Sequence, residues 1–168
     1  MLAMRSANIL LFTCLWLAST LAGACAGKPV DLKKDLEVTD VVTGWFDAGI
    51  VGGKNKLVPS ISFRLKNVSS EPIASVQVML TFRQVTDKDV EWGSAYARGI
   101  GPEGLQPGAT TAPIVLRSER GYTSEAPRAQ MLQHSQFVDT NVLLFCKYGS
   151  QTWAKLGEYL VKRILLTA

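Results

Sequence analysis

The side chains best suited to chemistry fall late in the chain. Cys146, His134 and Asp139 lie within 13 residues of one another and supply the parts of a thiol nucleophile, a base and an orienting carboxylate. No nucleophile motif surrounds Cys146, however. It stands in the apolar run NVLLFCKY (141–148), where a cysteine is expected to be a buried, inert thiol. His134, the only histidine, could join Met131 and Cys146 as a soft-metal set, but the three have no ligand spacing to recommend them. Glu119, Glu125, Asp139 and Glu158 are scattered and read as solvated charges rather than an acid–base pair. The run GIVGGKNK (49–56) lacks the Gly-Lys-Ser/Thr ending of a phosphate loop and opens no helix. The expectation is therefore no catalytic residue, no metal and no cofactor.

The other residues that could act are aromatic. Trp16 belongs to the apolar leader, which leaves Trp45, Trp92 and Trp153, near expected strand ends, together with Tyr122. Most large aromatics in a domain of this size plug the core; any that do not form a patch for a protein, lipid or glycan partner. The tryptophans are accordingly expected first as core plugs or rim packing; the alternative is that Trp45, Trp92, Trp153 and Tyr122 form a binding surface.

What positions these groups begins with an address. Arg5, the apolar stretch Ile9 to Leu21 and the small residues Leu21-Ala22-Gly23-Ala24-Cys25 follow the order of a secretory signal peptide. The apolar run is shorter than the roughly 18 to 20 residues that span a bilayer. Leu21 to Cys25 resembles a bacterial lipobox, and the resemblance implies cleavage before Cys25 and lipidation of that thiol. The same pattern implies outer-membrane retention, since Ala26 rather than aspartate follows the cysteine. Ala22-Gly23-Ala24 and Ala24-Cys25-Ala26 also suit ordinary signal peptidase, which would release a soluble exported protein.

Cleavage before Cys25 leaves 144 of the 168 residues, enough for one domain with its own core. Arg5 is the only charged side chain removed, so of 18 basic and 14 acidic residues the mature part keeps a net charge of +3. Lys33-Lys34 and Lys54/Lys56 are the densest basic spots, and nucleic acid is not an expected partner. With Cys14 in the leader and Cys25 at its end, Cys146 is left alone, so no internal disulfide is expected.

Residues 25–35 read as the lipidated N-terminus and a polar tether, and residues 36–168 as a β domain. Leu36 to Phe46 alternates, and Gly49 to Lys56 reads as a glycine-rich turn or loop. Ile61, Phe63 and Leu65 alternate against Ser62, Arg64 and Lys66; Ala74, Val76, Val78, Leu80 and Phe82 alternate after the polar turn NVSSEP. These two strands form a hairpin or its equivalent in a sandwich. Further strands are expected at Glu91 to Ile100, Thr110 to Ser118 and Asn141 to Tyr148, with helical turns over Ala126 to Gln133 behind Pro127. Trp153, Leu156, Leu160 and Ile164 sit at helical spacing, yet Gly157 and the aromatic content favour a bent strand over 153–166. About seven short strands without a βαβ rhythm predict an all-β, immunoglobulin-like antiparallel sandwich.

Residues 61–82, ISFRLKNVSSEPIASVQVMLTF, resemble the FxLYD-type and related immunoglobulin-like domains of bacterial exported proteins at Asn67, Ser69, Pro72, Val76, Val78 and Phe82. The Leu-Tyr-Asp end is replaced by Leu80-Thr81-Phe82-Arg83. The resemblance implies an exported, non-catalytic module. The expected function is an envelope lipoprotein facing the periplasm or cell surface, anchored by lipid and binding another envelope protein. Its loops Gly49–Lys56, Gly101–Gly108 and Gly121–Phe137 would gather at one end of the sandwich. The alternative is a soluble periplasmic carrier with an apolar cavity lined by Trp45, Phe63 and Phe82.

Overall fold

The computed structural model describes residues 30–87 and 89–166. The signal peptide and Cys25 lie outside the described residues. A single-turn helix α1 (Leu32–Asp35) leads into β1 (Leu36–Val51) and β2 (Lys54–Asn67), followed by β3 (Val76–Gln84), β4 (Glu91–Ile100), β5 (Ile114–Arg117) and β6 (Tyr122–Ser124). A second helical turn, α2 (Arg128–Met131), precedes β7 (Thr140–Tyr148), β8 (Ala154–Leu160) and β9 (Leu165–Leu166). One sheet has the order β5-β2-β1-β9, with β6 also paired to β2; the other has the order β4-β3-β7-β8. β1, β2 and β5 thus take the places of immunoglobulin strands A, B and E, and β4, β3, β7 and β8 those of C′, C, F and G. The pairing is antiparallel except between β1 and β9. The two elements beyond the seven expected are β6, with 3 residues, and β9, with 2.

Period-2 patterning builds the layers. Ile61, Phe63 and Leu65 of β2 face Val76, Val78, Leu80 and Phe82 of β3 and Val142, Leu144 and Cys146 of β7, all without accessible surface. β2 and β3 stand in different sheets, so of the two expected arrangements the sandwich crossing is formed and the direct hairpin is not. Two wholly apolar faces bury more area stacked across a core than side by side in one sheet, and residues 68–75 make that crossing. Ser75, at a φ of 55°, turns the chain into β3. The hairpin lies elsewhere. Gly49–Lys56 is not an irregular loop: β1 runs on to Val51, and Gly52 and Gly53, both at positive φ, make a two-residue turn into β2.

Two boundaries also differ from expectation. Leu32 packs into the core, so the folded unit includes residues before 36. At the other end, β8 is a strand that shifts register at Gly157, and Leu160 and Ile164 are exposed. The helical spacing of Trp153, Leu156, Leu160 and Ile164 is coincidental; Val161 is the residue that turns inward.

Asn67 pins one end of the sandwich. Its Nδ2 donates to the carbonyls of Glu71 and Leu105, both at 2.8 Å, and its Oδ1 accepts from the amide and hydroxyl of Ser69 at 2.9 and 2.7 Å. Every polar atom of the side chain is used, and none is accessible. This explains the Asn-x-Ser turn more fully than a local cap, because Leu105 lies in the segment between β4 and β5.

Candidate binding surface

The three parts of a thiol triad are engaged separately. Cys146 points into the core from β7, and desolvation pushes its pKa from 9.0 up to about 12, so the thiolate is scarce at neutral pH. Asp139 is held by Arg163, with Nε to Oδ1 at 2.6 Å and Nη2 to Oδ2 at 3.1 Å. His134 is exposed, and its Nδ1 accepts the Gln136 amide at 3.2 Å. Among the described residues no group of three His, Cys, Asp or Glu side chains could hold a metal ion, and Met131 is a core residue.

The aromatic residues divide into two groups. Trp45, in mid-strand rather than at a strand end, is wholly buried and cannot contribute to a surface. Its ring meets Phe137 at 4.6 Å between centroids and Trp92 at 6.1 Å, both edge-on. Tyr122 continues the cluster against Phe137 at 5.1 Å and Trp92 at 6.5 Å, and its hydroxyl donates to the Gln136 carbonyl at 2.8 Å. Arg163 closes over Phe137 and donates to the carbonyls of Leu132 and Phe137. Trp45, Trp92 and Tyr122 therefore seal one end of the core. The sequence could not separate them from Trp153, since burial of an aromatic at a strand end depends on what crosses above it.

The loops are also divided. The β1–β2 hairpin and residues 121–137 do share an end, joined by the Asn55–Ser124 pairing and by Asn55 Nδ2 donating to the Ala126 carbonyl at 2.9 Å. Arg128 of α2 pairs with Asp47 there, and that guanidinium, with the Gly49 amide, holds the Asp47 carboxyl below its usual range. Gly101–Gly108 belongs to the opposite end, where Leu105 pairs with Ile73 beside Asn67. The expected cluster of three loops at one end does not exist.

Trp153 stands apart from the sealed end. It sits just before β8 on the solvent side of the β4-β3-β7-β8 sheet, 6.5 Å from the ring of Tyr96, which is 65% exposed. The register places Tyr96, Met79 and Phe145 in one cross-strand row. Arg98, Gln77 and Lys147 form the next, with Lys147 Nζ 5.9 Å from the Trp153 ring centre. Val76, Val78, Leu80 and Phe82 take the core side of β3, so Met79 stands on the outer side, as does Phe145 between Leu144 and Cys146 on β7. The half-buried Met79 and Phe145 carry an apolar stripe across a face that an antiparallel sheet ordinarily presents to water as polar. Gln77, Val78, Tyr96, Ala97, Arg98 and Trp153 outline a depression of about 290 Å³ on this face. Among the described residues neither Arg98 nor Lys147 has an ion-pair partner. Tyr96, Arg98 and Lys147 were absent from the expected site. Their signal was the outward register of two strands whose other faces are apolar, Tyr96 opposite Met79 and Met79 opposite Phe145.

No protein-family model matches the chain, and no curated protein matches it. Several solved structures are similar in outline. The structural genomics target SoR45 is 11% identical, with 79% of this chain and 86% of that chain covered at a TM-score of 0.41. A Bordetella pertussis target described as an ApaA protein is 15% identical over 77% of this chain and 94% of its own, at 0.44. A protein from Archaeoglobus fulgidus is 13% identical over 76% of this chain and 100% of its own, at 0.39. The functional reading rests on this chain's own geometry.

Proposed function

We propose that this chain is a non-catalytic envelope lipoprotein, anchored through Cys25, that binds another envelope protein through the solvent face of its four-stranded sheet. The observation that carries this reading is Tyr96, largely exposed and packed on Trp153 above the half-buried Met79–Phe145 stripe. Rigid aromatics over an apolar floor, with unpaired cations at the margin, are the composition of a protein-binding hot spot. The separate engagement of Cys146, Asp139 and His134 supports a non-catalytic role. The leader and Leu21–Cys25 support export and lipidation, with outer-membrane retention favoured by Ala26. Among the described residues no helix is long and apolar enough to cross a membrane.

The soluble-carrier reading is disfavoured by packing. Trp45, Phe63 and Phe82 have no accessible surface, so no void large enough for water touches any of them. A lipid cavity between the sheets would need them to line it.

The test has two parts in the full chain expressed in a bacterial host with a lipoprotein pathway. Intact mass should give a mature protein starting at Cys25 with a diacylglyceryl increment, lost in Cys25→Ala. A photoreactive residue at position 96 should crosslink to an envelope protein, whereas one at position 115, exposed on the other sheet, should not. An unlipidated soluble chain, or equal capture from both positions, would overturn the proposal.

A further inference from the structure

Among the described residues the sheet edges are blunted to different degrees: β1, covered by β9 only at Trp45 and Phe46, is bulged at Asp40. β5 and β6 are 4 and 3 residues long and interrupt each other along β2, and β9 has only 2 residues. β8 shifts register at Gly157 and carries the Lys155–Glu158 ion pair at 2.6 Å. Its last carbonyl, that of Leu160, accepts from the Thr43 hydroxyl at 2.8 Å. These are the usual devices against unwanted strand pairing. β4 shifts register as well, but only near its ends, at Trp92 and at Gly99, which leaves Gly93 to Arg98 uninterrupted between them. It is 10 residues long and pairs only with β3, in unbroken register from Arg98 to Gly93.

Only the Trp92 carbonyl is engaged on the far side, by the Ser118 hydroxyl at 3.3 Å. Among the described residues, Gly93 to Ile100 make no main-chain hydrogen bond away from β3. A trough of about 340 Å³ runs beside this edge, with Gly93, Ser94 and Tyr96 on one wall and Glu119 and Arg120 on the other. Ala95, Ala97 and Gly99 alternate with Ser94, Tyr96 and Arg98, so bulk is confined to the outer face.

We infer that β4 accepts an extended segment of a partner protein as an added strand, and that this segment carries an acidic residue and, two positions along, an apolar one. The inference rests on the binding-module reading and names the partner's chemistry. Direct cross-strand neighbours share a face, so the residue opposite Arg98 meets that unpaired guanidinium, with Lys147 two strands further in. The residue opposite Tyr96 lies over the Tyr96–Trp153 shelf. Main-chain bonds supply affinity, and this acidic-x-apolar spacing supplies selectivity.

The probe is a blocked synthetic peptide, Ser-Thr-Glu-Thr-Leu-Thr-Ser, titrated into isotope-labelled mature chain carrying Cys25→Ser and followed by amide NMR and hydrogen exchange. The Glu peptide should shift and protect amides within Gly93–Arg98, with half-saturation at or below about 1 mM. Replacing its Glu by Lys, or Arg98 by Glu in the protein, should weaken binding about tenfold, as expected when a rim attraction becomes a repulsion. Arg98 is exposed, and among the described residues its side chain makes no hydrogen bond or ion pair, so the variant should fold normally. No shift within Gly93–Arg98 at several times that concentration, or equal affinity for both peptides, would overturn the inference. So would sedimentation as a dimer with these amides already protected, which would assign the edge to a second copy. Should position 96 still crosslink an envelope protein when the peptide fails, the module reading stands and strand addition alone falls.

Discussion

Trp45 and Trp153 are the same residue type in opposite circumstances. Trp45 is enclosed by Trp92 and Phe137 and touches no solvent, while Trp153 lies on the outside of a sheet against a largely exposed Tyr96. The first arrangement closes the core where the strands splay apart; the second adds apolar surface where none is needed for closure. Burial energy accounts for one and leaves the other without a structural purpose. Core closure thus belongs to one aromatic group of this small domain, and the recognition proposed above to the other.

That division can be broken most forcefully at the sealed end. Trp45→Ala should cost about 3 to 5 kcal/mol in chemical unfolding, because a large ring vanishes from a site with no room to collapse. Trp45 Nε1 makes no hydrogen bond, so the residue acts through ring packing, and Trp45→Phe should recover much of the loss. A cost for Trp45→Ala no greater than for an exposed residue would mean that the end is not closed as described.

At the opposite end, Asn67→Ala should cost about 3 kcal/mol by the same measurement. It removes a hydrogen bond from each of the Glu71 and Leu105 carbonyls, which keep those from the Ser69 hydroxyl and the Ile73 amide, and it leaves the Ser69 amide without its acceptor. Asn67→Asp should also destabilise, since a carboxylate cannot donate to two carbonyls.

Alkaline pH probes the core between these ends. The Cys146 thiol titrates near 12 when folded and near 9.0 when free, so its contribution is level below about pH 9. Above that the unfolded chain ionises first, and stability should fall by up to about 1.4 kcal/mol per pH unit until the folded pKa is reached. Urea unfolding at about pH 8 and about pH 10 should show a decline that Cys146→Ala reduces. Native protein should resist thiol alkylation at neutral pH and react once unfolded.

The smallest stability effect is expected on the sheet face. Tyr96→Ala and Trp153→Ala should each change unfolding free energy by about 1 kcal/mol or less, because both rings keep contact with water when folded. A loss comparable to that of Trp45→Ala would return Trp153 to the core and erase the comparison.

The fold was legible because its largest signals are local. The alternation of Ile61-Phe63-Leu65 and Val76-Val78-Leu80-Phe82 fixes which faces turn inward, and NVLLFCKY marks the strand that completes the core. Which strands share a sheet was not legible, because two apolar faces joined by NVSSEP can pair or stack equally well on paper. Gly49–Lys56 misled because glycines suggest a loose loop, whereas Gly52-Gly53 supply the positive φ values that keep a hairpin tight. Of the proposed binding surface only Trp153 was legible. Tyr96, Arg98 and Lys147 converge through cross-strand register, information that spacing along the chain does not carry.

The most direct test of this division of labour is quantitative co-purification of membrane-extracted full-length chain, wild type against Tyr96→Ala/Trp153→Ala, at equal amounts of folded protein. The double variant should unfold within about 2 kcal/mol of wild type and lose the envelope protein captured through position 96. An unchanged yield of that protein from the double variant would contradict the account and move recognition to another surface of the sandwich.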